Sequence, residues 1–328
     1  MTPDPTLTAS VYCNRRLDHV VSGLVIPFRE RLRELDREER WALWMVRYSG
    51  RGDHLKLRLH GPQEERETVR ALIAEEAGRF FAALEPAGDE PRVSRAGIPA
   101  IDEDDEGEGD HPDRALLWTR YRRSHVSLGP HPFLEDDRYA AGMAAALGAG
   151  AAMVLAAFAA HPDGQLPAAA RQRTLMKAVI AGLAEAGLAR DRCAAYLAYH
   201  RDWLLRFFAE DADREAEVRD GLDRQVAAMA PAVEQLRNVV GSEWGPARPG
   251  RADTPWNGTL AALAAYVSAF EGDPEYRVDP FAADPLYPPV FKVFHGVANQ
   301  LGLSPVNEAF VHHLLLQAAR DGAAVAEA

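Results

Sequence analysis

Two stretches of this sequence carry side chains whose type and spacing could support chemistry. The first is RYSGRGDHLKLRLH, residues 47–60, in which a glycine-rich turn joins two apolar runs that favour β-structure. This pattern predicts a β-hairpin with strands at Trp41–Tyr48 and His54–His60. Side chains alternate along the second strand, so leucines lie on one face and basic or titratable groups on the other. The latter, here called the basic face, carries His54, Lys56, Arg58 and His60.

The basic face has two interpretations from the sequence. In one, it is the solvated outer face of an amphipathic strand. In the other, it is a floor that binds an anion or a peptide, and Arg47 and Tyr48 on the partner strand extend it. The chemistry of this second interpretation is the orientation of carbonyl groups or peptide backbone by charged donors.

The second stretch is FHGVANQLGL, residues 294–303, with Glu308 following it. His295 and Asn299 are four residues apart, so they face the same side of a helix. An imidazole can give or take a proton near neutral pH, which makes His295 a candidate acid/base group. The alternative is a core histidine with satisfied hydrogen bonds. His312 and His313 are adjacent and cannot share one helix face, so we expect them to be packing or surface residues.

Several classes of protein are disfavoured by what the sequence lacks. It contains no GxGxxG after a predicted strand, no Walker A motif, no HExxH and no GxSxG. We therefore expect no nucleotide cofactor and no catalytic metal. Cys13 and Cys193 lie far apart in the sequence and are typical of free thiols in a reducing compartment.

Composition sets further bounds. A chain of 328 residues with 47% hydrophobic content is long enough for one large domain or two intimate domains. The net charge of -12 includes seven negative charges within residues 102–110, and nothing indicates nucleic-acid binding. The N-terminus is not typical of a signal peptide, and the apolar run near Ala140–Ala160 predicts a buried helix rather than a membrane span. We expect a soluble, cytoplasmic protein with no membrane partner.

Periodicity predicts the elements that position these residues. Before residue 135 the pattern predicts strands at Leu7–Cys13 and Arg114–Tyr121 beside the hairpin, with helices at Arg15–Asp36, broken near Pro27, and Glu64–Leu84. Beyond it the predicted helices are Asp137–Ala160, Pro167–Ala186, Asp191–Ala209, Arg214–Val240, Thr259–Phe270, Val290–Leu301 and one that starts at the N-cap Ser304 and runs to about Ala319. Residues 86–113 are expected to be a surface loop with one short strand at Arg92–Ile98, and Gly241–Gly258 a linker. Strands early and helices late favour an α+β fold: one unit, 1–328, with an antiparallel sheet mainly from residues 1–134 and a largely helical part from 135–328.

Three segments, in order, resemble the C-terminal elimination domain of class I lanthipeptide dehydratases and the thiopeptide-type bacteriocin biosynthesis proteins. They are SVYCNRRLDHVVSGLVIPF, WALWMVRYSGRGDHLKLRLHG and FHGVANQLGLSPVNEAF, and the likeness extends from about residue 8 to 320. In that domain, arginines of an HLRLR strand and a late histidine remove glutamate from a glutamylated serine or threonine. The resemblance implies that Lys56, Arg58 and His295 occupy these positions here.

Two departures from the family pattern favour a diverged branch. Lys56 replaces the first arginine, and lysine cannot make arginine's bidentate fork to a carboxylate. The second is WTRYRRSHVSLGP, which lacks the acidic residues of the matching family stretch. Both fit the thiopeptide pyridine synthases of the same fold, which perform a formal [4+2] cycloaddition between two dehydroalanines.

The resemblance implies a precursor peptide as partner, made of a leader and a dehydrated, azole-containing core, and no cofactor. His295 is the first candidate for acid/base work, with Tyr48 and Tyr121 next. Residues expected to bind substrate are Arg47, His54, Lys56, Arg58 and Asn299. Residues expected to bind an acidic leader are Arg114, Arg120, Arg122 and Arg123. Stand-alone glutamate elimination and a non-catalytic leader-binding role are the alternatives, and the sequence leaves open a homodimer.

Overall fold

The computed structural model describes residues 6–13, 17–48, 52–84, 111–119, 136–161, 163–209, 211–244, 254–270 and 281–320. The chain divides into two compact units. The first comprises residues 1–122 with 154–167, and the second comprises residues 123–153 with 168–328. The predicted short strand at Arg92–Ile98 and the acidic run at 102–110 lie outside the described residues.

The first unit contains a four-stranded antiparallel sheet with the strand order β2-β3-β1-β4. Its strands are β1 Thr6–Tyr12, β2 Ala42–Tyr48, β3 His54–His60 and β4 Ala115–Thr119. The predicted hairpin is confirmed, with Tyr48 opposite His54 at its closed end. Together with the helices that fill the second half of the chain, the sheet confirms the predicted α+β class.

The two faces of the sheet differ in chemistry. One face is apolar, because the alternating positions of the inner strands are aliphatic and buried: Leu7, Ala9, Val11, Leu55, Leu57 and Leu59. The opposite face combines the basic face of β3 with hydroxyl groups of β1. In the register of the two strands, Thr8 lies opposite Arg58 and Ser10 lies opposite Lys56.

The helices of the first unit follow the predicted periodicity. The first predicted helix consists of α1 Leu17–Val20, a π-helical turn Val21–Val25 and α2 Ile26–Glu34. Pro27 lies in the first turn of α2, directly after the π-helical turn, so the predicted break near this proline coincides with a change of helix type. α3 Arg66–Ala83 follows a short 3-10 turn at Gln63–Glu65.

The second unit is helical, with one predicted helix divided in two. Its helices are α4 Asp137–Ala159, which continues into the first unit, α5 Ala168–Glu185, α6 Arg190–Phe208, α7 Ala212–Ala227, α8 Ala230–Glu243, α9 Thr259–Ser268, α10 Tyr287–Leu301 and α11 Pro305–Arg320. The single helix predicted at Arg214–Val240 was wrong. Pro231 lies in the first turn of α8, the position where proline is tolerated, and a new helix therefore begins there.

The linker predicted at Gly241–Gly258 begins later than expected, because α8 continues to Glu243, whereas α9 begins at Thr259 as predicted. Trp244 and Trp256 are both buried. Each indole N–H donates to a carbonyl of α5, Trp244 to Ile180 at 3.0 Å and Trp256 to Ala178 at 3.0 Å. These tryptophans therefore anchor the segment to the core of the second unit.

Helix α4 is long and apolar enough to cross a membrane, and no other helix within the described ranges meets both conditions. Half of its most apolar stretch is buried inside the protein. Asp136 caps its N-terminus by accepting from the backbone N–H of Arg138 at 2.7 Å. A core helix of a soluble protein has the same length and composition, so these properties alone are weak evidence for a span.

Candidate functional site

Helix α10 is buried on all sides except for one stripe. Only Lys292, His295, Gly296 and Asn299 are half-exposed in this fully described helix. Their spacing follows the i, i+3, i+4, i+7 pattern of a single helix face. The prediction that His295 and Asn299 share a face is therefore confirmed, and this face is the one open to solvent.

A tight turn brings the next helix back against this stripe. Gly302 has a left-handed backbone, with φ of 70°, and its N–H donates to Asn299 O while Leu303 N donates to Ala298 O. Ser304 then caps α11, because its hydroxyl oxygen accepts from the N–H of Asn307 at 3.3 Å. The turn thereby places Glu308 beside the ring of His295.

Glu308 holds His295 by one ring nitrogen. The Nδ1 atom of His295 lies 2.9 Å from Oε2 of Glu308. The carboxylate is buried, with 1% of its side chain exposed, whereas 35% of the imidazole is exposed. Nε2 of His295 has no hydrogen-bond partner among the described residues. His295 is thus neither a fully satisfied core histidine nor a free surface histidine.

The second carboxylate oxygen of Glu308 binds another histidine. Nε2 of His200, on α6, lies 2.7 Å from Oε1 of Glu308, and Nδ1 of His200 lies 2.7 Å from the hydroxyl of Tyr196. His200 and Tyr196 are fully buried. A continuous line of hydrogen bonds therefore connects Tyr196, His200, Glu308 and His295.

Burial and pairing set the protonation states within this group. Burial acts to raise the pKa of Glu308, but the charge of a protonated His295 and hydrogen bonds from both histidines outweigh it and hold that pKa well below its usual range. Burial lowers the pKa of His200, against the opposing effect of Glu308. Burial raises the pKa of Tyr196 well above that of an ordinary tyrosine. At neutral pH the group therefore contains an anionic Glu308, a neutral His200 and a neutral Tyr196.

His312 and His313 are both buried, which agrees with one of the two roles expected for them. His312 stacks on His200 with 3.6 Å between ring centroids, and burial followed by the nearby His200 lowers its pKa to about 3. His313 instead lies 2.8 Å from Asp223 and 2.9 Å from Arg201. The adjacent histidines thus contact different groups.

Glu308, His200 and Tyr196 were not assigned a role from the sequence. Two signals pointed to them. Glu308 lies on the apolar stripe of α11, four residues before His312 and seven before Leu315, where an acid needs a partner. Tyr196 and His200 are four residues apart on α6, which places them on one face.

On the sheet, the basic face of β3 is not solvated. His54, Lys56 and Arg58 are 0%, 1% and 5% exposed, so the interpretation as an outer, solvated face was wrong. The reason is that β3 is an inner strand of the sheet and both of its faces are covered.

An aromatic ladder crosses the sheet at the end where the hairpin closes. The rings of Tyr48 and His54 stack with centroids 5.4 Å apart, and those of His54 and Tyr12 stack at 4.5 Å. The ammonium of Lys56 lies 4.9 Å from the centroid of the Tyr48 ring. His54 and Lys56 therefore lie on the same face of the sheet, as the alternation predicts, and Tyr48 of the partner strand contacts both of them.

Other predicted residues are placed differently. Arg47 lies opposite Leu55, on the apolar face, and donates to Asp18 Oδ1 at 2.8 Å. It does not share the face of Lys56 and Arg58. Arg114 is half-exposed at the start of β4 with a φ of 60°. The remaining predicted residues lie outside the described ranges: Arg120, Tyr121, Arg122 and Arg123.

Within the part of the chain that the structure describes, no three His, Cys, Asp or Glu side chains are arranged to hold a metal ion. Cys13 and Cys193 are free thiols, both buried. Burial raises the pKa of Cys193 to about 12, so this thiol is not an activated nucleophile.

Comparison with known proteins gives the fold and the family. No curated protein sequence matches the chain. The pyridine synthase TbtD from thiomuracin biosynthesis is similar with a TM-score of 0.67 and 17% identity, over 98% of this chain and 100% of that one. TsrL is similar with a TM-score of 0.60 and 14% identity, over 97% of this chain and 95% of that one.

A third similar structure is the tRNA dependent lantibiotic dehydratase MibB from Microbispora sp. 107891. Its TM-score is 0.55 with 17% identity, and the match covers 100% of this chain but 29% of the dehydratase. Identities this low establish a shared fold and not a shared activity. The sequence model for the C-terminal part of lantibiotic biosynthesis dehydratases matches residues 7–319, and the chain therefore belongs to that family.

Proposed function

We propose that this protein is a pyridine synthase that closes the macrocycle of a thiopeptide. The substrate is a precursor peptide with a leader and a core that contains azoles and two dehydroalanines. The proposal is supported by family membership and by a fold similar to the pyridine synthase TbtD over nearly the whole of both chains. The observation that carries it is the half-exposed His295, held at Nδ1 by the buried Glu308.

The proposed reaction balances without a cofactor. The amide of one dehydroalanine tautomerises to an imidic acid, which makes a 2-azadiene. Addition of this diene to the other dehydroalanine forms two carbon–carbon bonds and gives a six-membered ring that bears a hydroxyl group. Loss of this hydroxyl as water, and of the leader peptide as a carboxamide, leaves an aromatic pyridine. No electrons are gained or lost overall, so no oxidant is required.

The reaction steps together need a group that can take a proton in one step and give one in another. Nε2 of His295 can take the amide proton when the imidazole is neutral, and it can protonate the departing hydroxyl when the imidazole is charged. Glu308 holds Nδ1 of His295, so that Nε2 is the ring atom left to exchange protons, which is the part that a carboxylate plays in other acid/base pairs. Cycloaddition itself benefits from holding two distant reactive groups together.

The basic face is proposed to hold the peptide. Lys56 and Arg58 are cations on an inner strand, with the hydroxyls of Ser10 and Thr8 opposite them. Those hydroxyls are buried and have no hydrogen-bond partner among the residues that the structure describes. Leaving a buried polar group unsatisfied costs about 1–3 kcal/mol, a cost that a peptide carbonyl or N–H at this face would relieve. His54 belongs to this face and Tyr48 stacks on it, and both are proposed to contact the peptide.

A second candidate is elimination of glutamate from a glutamylated precursor. Similarity to a tRNA dependent lantibiotic dehydratase favours it, and the lysine at position 56 speaks against it because lysine lacks the bidentate fork. A third is a protein that binds the leader without catalysis.

One experiment separates the three candidates. The purified protein is incubated with a dehydrated, azole-containing precursor and, separately, with a glutamylated precursor, and the products are followed by mass spectrometry. Our proposal expects loss of water and of a leader carboxamide from the first peptide. Loss of glutamate from the second without ring closure would favour elimination. Tight leader binding without any change in mass would favour the binding role.

A further inference from the structure

We infer that Tyr196, His200 and Glu308 form a buried positioning chain that fixes the tautomer of His295 and leaves its Nε2 open to the substrate. This inference rests on the proposed acid/base role of His295 and deepens it. None of the three residues reaches solvent, so they act through His295.

One assignment of protons satisfies every contact in the positioning chain. The hydroxyl of Tyr196 donates to Nδ1 of His200, and Nε2–H of His200 donates to Oε1 of Glu308. Oε2 of Glu308 can only accept, so Nδ1 of His295 must carry the hydrogen between them. A neutral His295 then has its lone pair on Nε2.

Packing restrains the ring in the middle of the positioning chain. The ring of His200 contacts His312, at 3.6 Å between centroids, and Phe291, at 4.3 Å. Phe291 also stacks on His295 with an interplanar angle of 10°. One phenyl ring thus contacts both histidines that bind Glu308.

A buried carboxylate costs several kcal/mol unless it is paired, and Glu308 has two imidazoles as partners and neither Lys nor Arg among the described residues. An arginine would neutralise the carboxylate permanently. Two imidazoles instead leave its negative charge available to His295 when that ring becomes positive.

The test uses the whole 328-residue protein with its histidines labelled with 15N. The signals of His295 are identified by their loss in His295→Gln. At alkaline pH, where imidazoles are neutral, the wild type should show hydrogen on Nδ1 of His295 and a lone pair on Nε2. Glu308→Gln should give a mixture of the two tautomers, because an amide can donate as well as accept. His200→Phe should leave the hydrogen on Nδ1 of His295, because the carboxylate of Glu308 can still only accept. Tyr287→Phe is the matched control. Tyr287 is buried and its ring packs edge-on against Tyr196, but its hydroxyl donates to Arg192 O and so takes no part in the positioning chain.

Turnover of the dehydrated precursor provides a second readout. Supporting residues around a reacting group typically contribute about 10- to 100-fold, so Glu308→Gln should lower kcat by about that factor while KM stays within a few-fold. Tyr196→Phe removes one oxygen atom and should have a smaller effect in the same direction. Tyr287→Phe should leave both constants unchanged.

The outcomes separate this inference from the proposed function. A His295 tautomer in Glu308→Gln identical to that of the wild type overturns the positioning chain. A changed tautomer in a protein that never converts the precursor supports the chain and overturns the function. If Glu308→Gln does not fold, Tyr196→Phe decides: loss of the hydrogen bond from Tyr196 should shift the Nδ1 signal of His200, and an unchanged His200 signal overturns the inference.

Discussion

The imidazole of His295 and the carboxylate of Glu308 lie 2.9 Å apart, although they belong to consecutive helices and are separated by 13 positions in sequence. The turn at Gly302 makes this possible, because its left-handed backbone ends α10 and lets α11 return along the same stripe. The contact with Glu308 therefore fixes the orientation of the His295 ring on the half-exposed stripe of α10.

Replacement of His295 tests whether this group transfers protons. His295→Ala should lower turnover of the dehydrated precursor by about 10²–10⁴, the usual contribution of a positioned acid/base group. Precursor binding should hardly change. A hydroxylated ring still attached to the leader should accumulate, because loss of water and leader are the steps most in need of an acid. Rates are followed by mass spectrometry with time.

His161→Gln is the matched control for that variant. His161 is also half-exposed, and it lies two residues past the end of α4, where its Nδ1 is 2.9 Å from the carbonyl of Ala157. This variant should convert the precursor at the wild-type rate. If His295→Ala folds and does the same, His295 has no part in catalysis, and Tyr48 and the basic face become the candidates.

Removal of the charge at Arg58 tests the basic face. Arg58→Met keeps most of the side-chain volume and removes the guanidinium. It should weaken precursor affinity and lower the rate together, because a group that orients substrate acts in both the ground state and the transition state. Calorimetric binding and single-turnover kinetics measure the two effects separately.

The control for Arg58→Met is Arg37→Met. Arg37 also belongs to the first unit, but it lies outside the four strands and pairs with Glu65 at 3.5 Å. Its replacement should alter stability alone. An unchanged affinity in both variants would exclude Arg58 from substrate binding.

Acid should destabilise the protein in part through His312. Burial and the neighbouring His200 lower the pKa of His312 to about 3, against 6.5 for an ordinary histidine. The unfolded chain therefore takes up a proton at pH values where folded His312 stays neutral, and this stability is lost as pH falls. Between pH 7.5 and 5.5 the loss is about 1.4 kcal/mol for this single group.

Urea unfolding at a series of pH values measures that effect. His312→Gln should give a flatter dependence of the unfolding free energy on pH than the wild type. Leu316→Ala, at another buried position of α11, should lower stability by a similar amount at every pH. A steep dependence that persists in His312→Gln would assign the acid sensitivity to other buried groups, of which His200 is the first candidate.

Helix packing in the second unit predicts opposite effects on stability for alanine at two glycines, Gly150 in α4 and Gly221 in α7. A Cβ at Gly150 would lie 2.6 Å from a methyl group of Val297, so Gly150→Ala should destabilise the protein by about 1–3 kcal/mol. A Cβ at Gly221, in α7, would meet nothing within 4 Å. Gly221→Ala should therefore stabilise by up to about 1 kcal/mol. Thermal and urea unfolding of both variants check the pair, and equal effects would contradict the close contact at Gly150.

The sequence by itself determined the local features of this protein. Alternation at His54–His60 and helical periodicity at Tyr287–Leu301 depend on backbone geometry that repeats every two or 3.6 residues, so the faces of both elements could be assigned in advance. The capping roles of Ser304 and Asp136 are equally local. The α+β class followed from the order of these elements.

Only the tertiary structure decided which faces are covered and which distant residues meet. Alternation separates the two sides of a strand but does not say what lies over them, and so the burial of Lys56 and Arg58 was not determined. His200 contacts Glu308 across 108 positions because α6 packs against α11. Such a contact depends on how helices pack through many weak side-chain interactions, and no periodicity within either helix encodes it.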